Sequence, residues 1–183
     1  MTDEHDRAPG FPTAIDPSPS TILRIEDDER VFAAGAGYRI VQWRNVLLTH
    51  WFAPISLEGL DASHDGSFDL ATRHPKLMVF NVIAYGLAIP PPEARRKASE
   101  VLGATAGHVA AVATVLPGQG FWVSAARAAV ATITLLSRAG HPHKVFATVE
   151  DATTFVLPYV LPKHTPRAHL EAALDRLTAG LKA

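Results

Sequence analysis

The stretch Leu77-Met78-Val79-Phe80-Asn81-Val82-Ile83 decides the fold class. It is short and nearly continuous in apolar character. Such a run suits a strand buried on both faces, the kind found in a mostly parallel sheet covered by helices. The neighbouring segments take their places around it.

Upstream, Tyr38 to Trp43 reads as a strand from its β-branched and aromatic content. Arg44-Asn45 is a tight turn, and Val46 to Phe52 is a second strand. So short a connection joins only antiparallel neighbours. Pro54 ends the second strand, because proline cannot donate to a ladder. Ser56 to Arg73 follows as a helix, with Ser56 as N-cap and Glu58 in the first turn. Leu57, Leu60, Phe68 and Leu70 supply its apolar face. The segment Ser63-His64-Asp65-Gly66-Ser67 interrupts the pattern, so a broken helix and a straight one both fit.

Downstream, Pro90-Pro91-Pro92 leads into a helix from Glu93 to Gly103. Its buried face is marked by Ala94, Ala98, Val101 and Leu102. His108 to Leu116 is another apolar strand, and Pro117-Gly118-Gln119-Gly120 turns the chain. Phe121 to Arg138 is the strongest helix, with Trp122, Ala126, Ala129, Val130, Ile133 and Leu136 on one stripe and Gly140 at its end. Lys144 to Val149 is the last strand, and Glu150 to Phe155 is a short helix stopped near Pro158. Arg167 to Leu181 is a separate amphipathic helix with Leu170, Leu174, Leu177 and Leu181 on its apolar edge. The order β-β-α-β-α-β-α-β-α predicts an α/β fold with a mixed, mostly parallel sheet flanked by helices.

A chain of 183 residues fits one domain with tails. Residues 1–20 hold four prolines and few large apolar side chains, and read as a disordered tail. Residues 21–37 are an ambiguous lead-in. There Ile22, Leu23 and Ile25 suit a short strand, Glu26-Asp27-Asp28-Glu29 marks a turn, and Gly35-Ala36-Gly37 frees the backbone. The domain proper spans 38–157, and 158–183 is a C-terminal extension carrying the amphipathic helix.

The chain has no cysteine, which excludes disulfides, thiolate metal sites and cysteine nucleophiles. The start Met1-Thr2-Asp3-Glu4-His5-Asp6 lacks the basic and apolar regions of a secretory signal. No segment offers about 18 uninterrupted apolar residues, so no membrane span is predicted. A cytoplasmic location follows as the expectation. Residues 1–30 hold eight acids against three bases, and the remainder ten against fourteen. Those bases are scattered, with only Arg95-Arg96-Lys97 adjacent, which argues against nucleic acid as a partner.

Five features are candidate sites. Gly118-Gln119-Gly120 sits between a strand and a helix, where anions bind, but Val123 stands where a dinucleotide fingerprint needs glycine. A tight turn is the better reading. His141-Pro142-His143 offers two imidazoles and no third ligand at a defined spacing, so neither a metal nor any other cofactor is predicted. Ser99 and Ser124 have no base at a defined offset, so no catalytic residue is assigned. Tyr85-Gly86-Leu87-Ala88-Ile89 is an apolar loop before the proline run, and Arg95-Arg96-Lys97 suits either an acidic partner or a solvated face.

The element order, with Tyr38-Arg39-Ile40-Val41-Gln42-Trp43-Arg44-Asn45-Val46-Leu47-Leu48, Pro92-Glu93-Ala94-Arg95-Arg96, Gly120-Phe121-Trp122 and Lys144-Val145-Phe146-Ala147, resembles the STAS fold of anti-sigma factor antagonists and stressosome proteins. The likeness covers roughly residues 38–157. It implies a domain that binds another protein, a regulatory kinase or sensor being the kind of partner implied. Phospho-switch members carry a serine or threonine at the start of the second helix. The equivalent Ile89-Pro90-Pro91-Pro92-Glu93 has no hydroxyl, so that switch is missing.

The expected function is therefore a non-enzymatic regulatory or scaffold domain acting by protein–protein binding. The expected partner surface is Tyr85, Leu87, Ile89, Glu93, Arg95, Arg96, Gln119 and Phe121. A homo-oligomer is compatible with this. The alternative is a small-molecule or lipid binder, which requires an apolar cavity of about 300 Å³ or more, lined by groups such as Phe80, Trp122 and Leu136. A cryptic enzyme ranks third and requires a cleft where a histidine and a carboxylate converge.

Overall fold

Alternation along the strands sorts the side chains into two layers on opposite sides of a single sheet. The computed structural model describes residues 29–179. Six strands lie in chain order across the sheet: β1 (Glu29–Gly35), β2 (Tyr38–Trp43), β3 (Val46–Trp51), β4 (Leu77–Ile83), β5 (Val109–Val115) and β6 (His143–Phe146). The first three pair antiparallel, and β3 to β6 pair parallel. Each parallel connection passes through a helix: α1 (Leu57–Ala71), α2 (Pro92–Thr105) and α3 (Phe121–Ser137). α4 (Val149–Val156), a 3-10 turn at Leu157–Tyr159 and α5 (Arg167–Ala179) complete the described chain.

The α/β class and the mostly parallel sheet agree with the sequence reading. The element order differs by a strand in front. Glu29 starts β1 instead of sitting in a turn, and Ala36 and Gly37 form the hairpin bend. Val31 is half exposed on this edge strand, so its apolar signal is weak. The strand suggested at Ile22, Leu23 and Ile25, the tail 1–20 and the apolar residue Leu181 lie outside the described residues.

Val41, Trp43, Leu48, Met78, Phe80, Ala111 and Ala113 face α4 and α5 in one buried cluster. The helix set apart in the sequence as part of an extension contributes Leu170, Ala173, Leu174 and Leu177 to that core. Ile40, Leu47, Trp51, Leu77, Val79 and Val112 face the other way, toward α1 and α2. The β2–β3 turn is anchored at the bottom of the sheet. Asn45 Nδ2 donates to Lys76 O at 3.2 Å and Tyr159 O at 2.9 Å, while its Oδ1 accepts from Leu161 N at 2.7 Å.

α1 is one continuous helix, capped by Ser56 Oγ accepting from Gly59 N at 3.1 Å. The segment that reads as an interruption is its packing face. Ser63, Gly66 and Ser67 are buried, whereas Leu57 and Phe68 are exposed. A Cβ at Gly66 would lie 3.0 Å from the Phe32 ring and 3.2 Å from Leu47, so the helix sits close on the sheet. Gln42 then pins it, donating to Gly66 O and Asp69 Oδ2, both at 2.9 Å. That hydrogen bond, with help from Arg73, holds the Asp69 carboxyl below its ordinary range against the opposing effect of burial.

Three boundaries are corrected. The last strand is His143–Phe146, with Val149 already in a helix. α3 ends at Arg138 in the left-handed conformation, φ 51°, ahead of Gly140. Leu136, placed on the buried stripe by its spacing, is 61% exposed.

Candidate functional site

The face toward α1–α3 carries a polar row that the opposite face lacks. Thr49, Asn81 and Thr114 sit at the same register on β3, β4 and β5. Strand alternation sends all three side chains to this side. β6 adds His143 at the end of the row, with Thr114 Oγ1 2.9 Å from its Nε2 and Thr134 Oγ1 of α3 2.7 Å from its Nδ1. Thr134 donates its own proton to Val130 O at 2.9 Å. Its oxygen therefore accepts Nδ1–H of His143, and Nε2 accepts the proton of Thr114. The imidazole is neutral in this arrangement. Burial, and secondarily the nearby His141, bring His143 down from 6.5 to about 4.

Between this row and the helices lies a cavity of about 100 Å³. Asn81, Thr114 and His143 line its sheet side. Ser63 and Ser67 of α1, Thr105 of α2 and Ile133 of α3 line its roof. Ser67 and Thr105 spend their hydroxyl protons on Ser63 O and Val101 O, both at 2.8 Å. The Asn81 amide has no hydrogen-bond partner among the described residues. Thr49 Oγ1 is buried and unpartnered among them too.

A second cavity, about 50 Å³, adjoins the first and shares Ile55, Ile83, Val130 and Ile133 with it. It runs beneath the 87–90 loop and Trp122, at the carboxyl ends of the parallel strands. Open α/β sheets generally bind ligands at this end. Trp122 Nε1 donates to Leu87 O at 2.5 Å, and the Tyr85 ring stands edge-on to it at 5.2 Å. Tyr85 also covers Gly118, where a Cβ would fall 2.5 Å from Tyr85 Cε2. Gly118 and Gly120 have φ of 92° and 95°, which completes the tight turn read from Gly118-Gln119-Gly120.

Above this frame the edge is open. Phe121 is 89% exposed, Tyr85 63% and Ile89 43%. Gln119 and Glu93 are exposed beside them, and Leu87 is half-buried. Arg95 and Arg96 lie in the first turns of α2. They do not form a continuous basic surface with Lys97. Arg95 buries its Nε without a partner among the described residues, Arg96 stands 3.7 Å from Glu100, and Lys97 pairs with Asp61 at 2.5 Å.

No protein-family model, curated protein or solved structure matches this chain.

The cavity falls below the roughly 300 Å³ expected of a site for a lipid or a drug-sized molecule, and its lining differs. Phe80 points to the opposite face, Leu136 is exposed, and only Trp122 borders the adjoining space. The histidine nearest the cavity faces two threonines. Both nitrogens of His143 are occupied, so His141-Pro142-His143 does not present two free imidazoles. Among the described residues no three His, Asp or Glu side chains converge to hold a metal ion. Also among them, no helix is long and apolar enough to cross a membrane.

Sequence reading missed Asn81 as a site residue, and named Trp122 only as a cavity-lining group. Asn81 had a visible signal, as the one amide inside the apolar run Leu77–Ile83. Trp122 carried one only in its place after Gly120-Phe121, at the mouth of a βα turn.

Proposed function

We propose that this protein is a non-enzymatic regulatory or scaffold domain that binds another protein through the carboxyl edge of its sheet. The observation that carries the reading is Phe121, an almost fully exposed aromatic at the first position of α3. Beside it, the Tyr85–Trp122 pair and the glycine turn hold a ready-made aromatic platform. Clustered aromatics exposed on a rigid frame are the usual anchors of protein interfaces. The STAS-like resemblance supports the same reading, and the proline run at 90–92 removes its serine switch. The partner class is a regulatory protein, with a kinase or sensor in first place.

Affinity purification from the native host tests this. A defined partner should be recovered with the wild-type chain and lost with Phe121→Ser plus Tyr85→Ser. Recovery of the same partner with that variant contradicts the assigned surface. Arg95→Glu plus Arg96→Glu separates an acidic partner, which this variant should weaken, from a purely apolar contact.

A further inference from the structure

We propose that the cavity between the sheet and α1–α3 is a binding site for a single-ring, uncharged molecule carrying one hydroxyl or amide group. The site is distinct from the edge surface and does not depend on it.

Three observations define the occupant. The first is size. The two adjoining spaces, about 100 and about 50 Å³, match the volume of about 150 Å³ that accommodates a benzene-sized ring in an apolar protein interior. A lipid chain does not fit. The second is charge. No Asp, Glu, Lys or Arg lines either space, and the one titratable group at the wall, His143, is committed to two threonines. A buried charge without a partner is strongly disfavoured, so the occupant is neutral. The third is polarity. The lining is mostly aliphatic, yet it places an unpartnered primary amide, Asn81, at mid-sheet. Asn81 is half-buried, so its amide is reachable by whatever enters the space. Asn81 offers one acceptor and two donor positions. Beside it, Thr114 gives its proton to His143 and leaves lone pairs toward the cavity. A hydroxyl donates to either oxygen and accepts from the amide; an amide group does the same through its N–H and C=O.

The way in follows from the second space. Ile55, Ile83, Val130 and Ile133 connect it to the first, and the Trp122–Leu87 hydrogen bond closes it at the edge. Displacement of the 87–90 loop opens the route.

The test uses the full chain with phenol and benzamide as probes, and toluene and benzoate as controls. Binding is read by calorimetry and by the Asn81 side-chain amide resonance. Phenol and benzamide should bind saturably and shift that resonance, with toluene at least about tenfold weaker and benzoate without effect. Asn81→Leu, close in shape, should erase the preference for phenol over toluene. Ala98→Leu, which fills the cavity from α2, should abolish binding while the fold is retained by circular dichroism. Absence of saturable binding to the wild-type chain means that only water occupies the space, and overturns the proposal. Equal affinity for phenol and toluene, or tighter binding of benzoate, overturns it as well.

Discussion

The two faces of the sheet are built on different rules. The face toward α4 and α5 is mostly apolar, filled by Trp43, Phe80, Met78 and Leu48 against Leu174 and Leu177, with His50 the buried polar side chain of β3 on this side. The face toward α1–α3 interrupts its apolar residues with Gln42, Thr49, Asn81, Thr114 and His143, and leaves empty space above the row. Interiors are ordinarily close-packed, and polar groups within them paired. One face is close-packed and stabilises the fold, although Trp43 Nε1 and Thr153 Oγ1 are buried there without a partner among the described residues. The other leaves a cavity lined by polar side chains beside the exposed edge, and such departures from close packing mark functional sites.

The packed face is most sensitive at Phe80, whose side chain enters it directly beside Asn81 on the other face. Phe80→Ala should lower unfolding free energy by about 3–5 kcal/mol in urea titrations. A loss below about 1 kcal/mol would mean that this face is not tightly filled.

The next effect belongs to His143 and to acid. Its folded-state value of about 4 lies below the ordinary 6.5. Between those values the unfolded chain binds a proton that the folded chain does not. The group therefore costs nothing above about pH 6.5, and its penalty grows as pH falls, to roughly 3 kcal/mol near pH 4. Stability measured across this window should fall less steeply in His143→Gln, which cannot titrate. Parallel curves for the two proteins would refute a buried neutral imidazole.

Thr114→Val keeps the shape and removes the proton donated to His143 Nε2. It should cost about 1–3 kcal/mol, because it leaves a buried acceptor unpaired. The smallest change in stability is expected at the edge. Phe121→Ser should stay within about 0.5 kcal/mol of wild type, while partner recovery is lost. A large destabilisation there would make Phe121 part of the core.

The packed face was the more legible one. Leu77–Ile83 reads as doubly buried, and the hairpin, the parallel crossovers and the Ser56 cap follow from local rules. The cavity face was harder because its logic is long-range. The small residues at 63–67 look like a helix break until Phe32 and Leu47 press against Gly66. His143 looks like half of a histidine pair until Thr114, 29 residues earlier, and Thr134 meet its ring. Leu136 fits the helical period and is nevertheless exposed, because period alone does not report what packs against a helix's end. The edge residues Tyr85, Ile89 and Phe121 were legible as a candidate partner surface, with burial of the 85–89 loop in the core an equal reading; their exposure and the Trp122–Leu87 latch beneath them were not.

The polar row along β3–β6 is held neutral within an otherwise apolar layer. Titration of the His143 ring by NMR measures this directly. The expected result is a pKa of about 4, with Nδ1 protonated and Nε2 free at neutral pH. A pKa near 6.5, or an Nε2-protonated ring, would show a row open to water or paired differently, and would contradict the account.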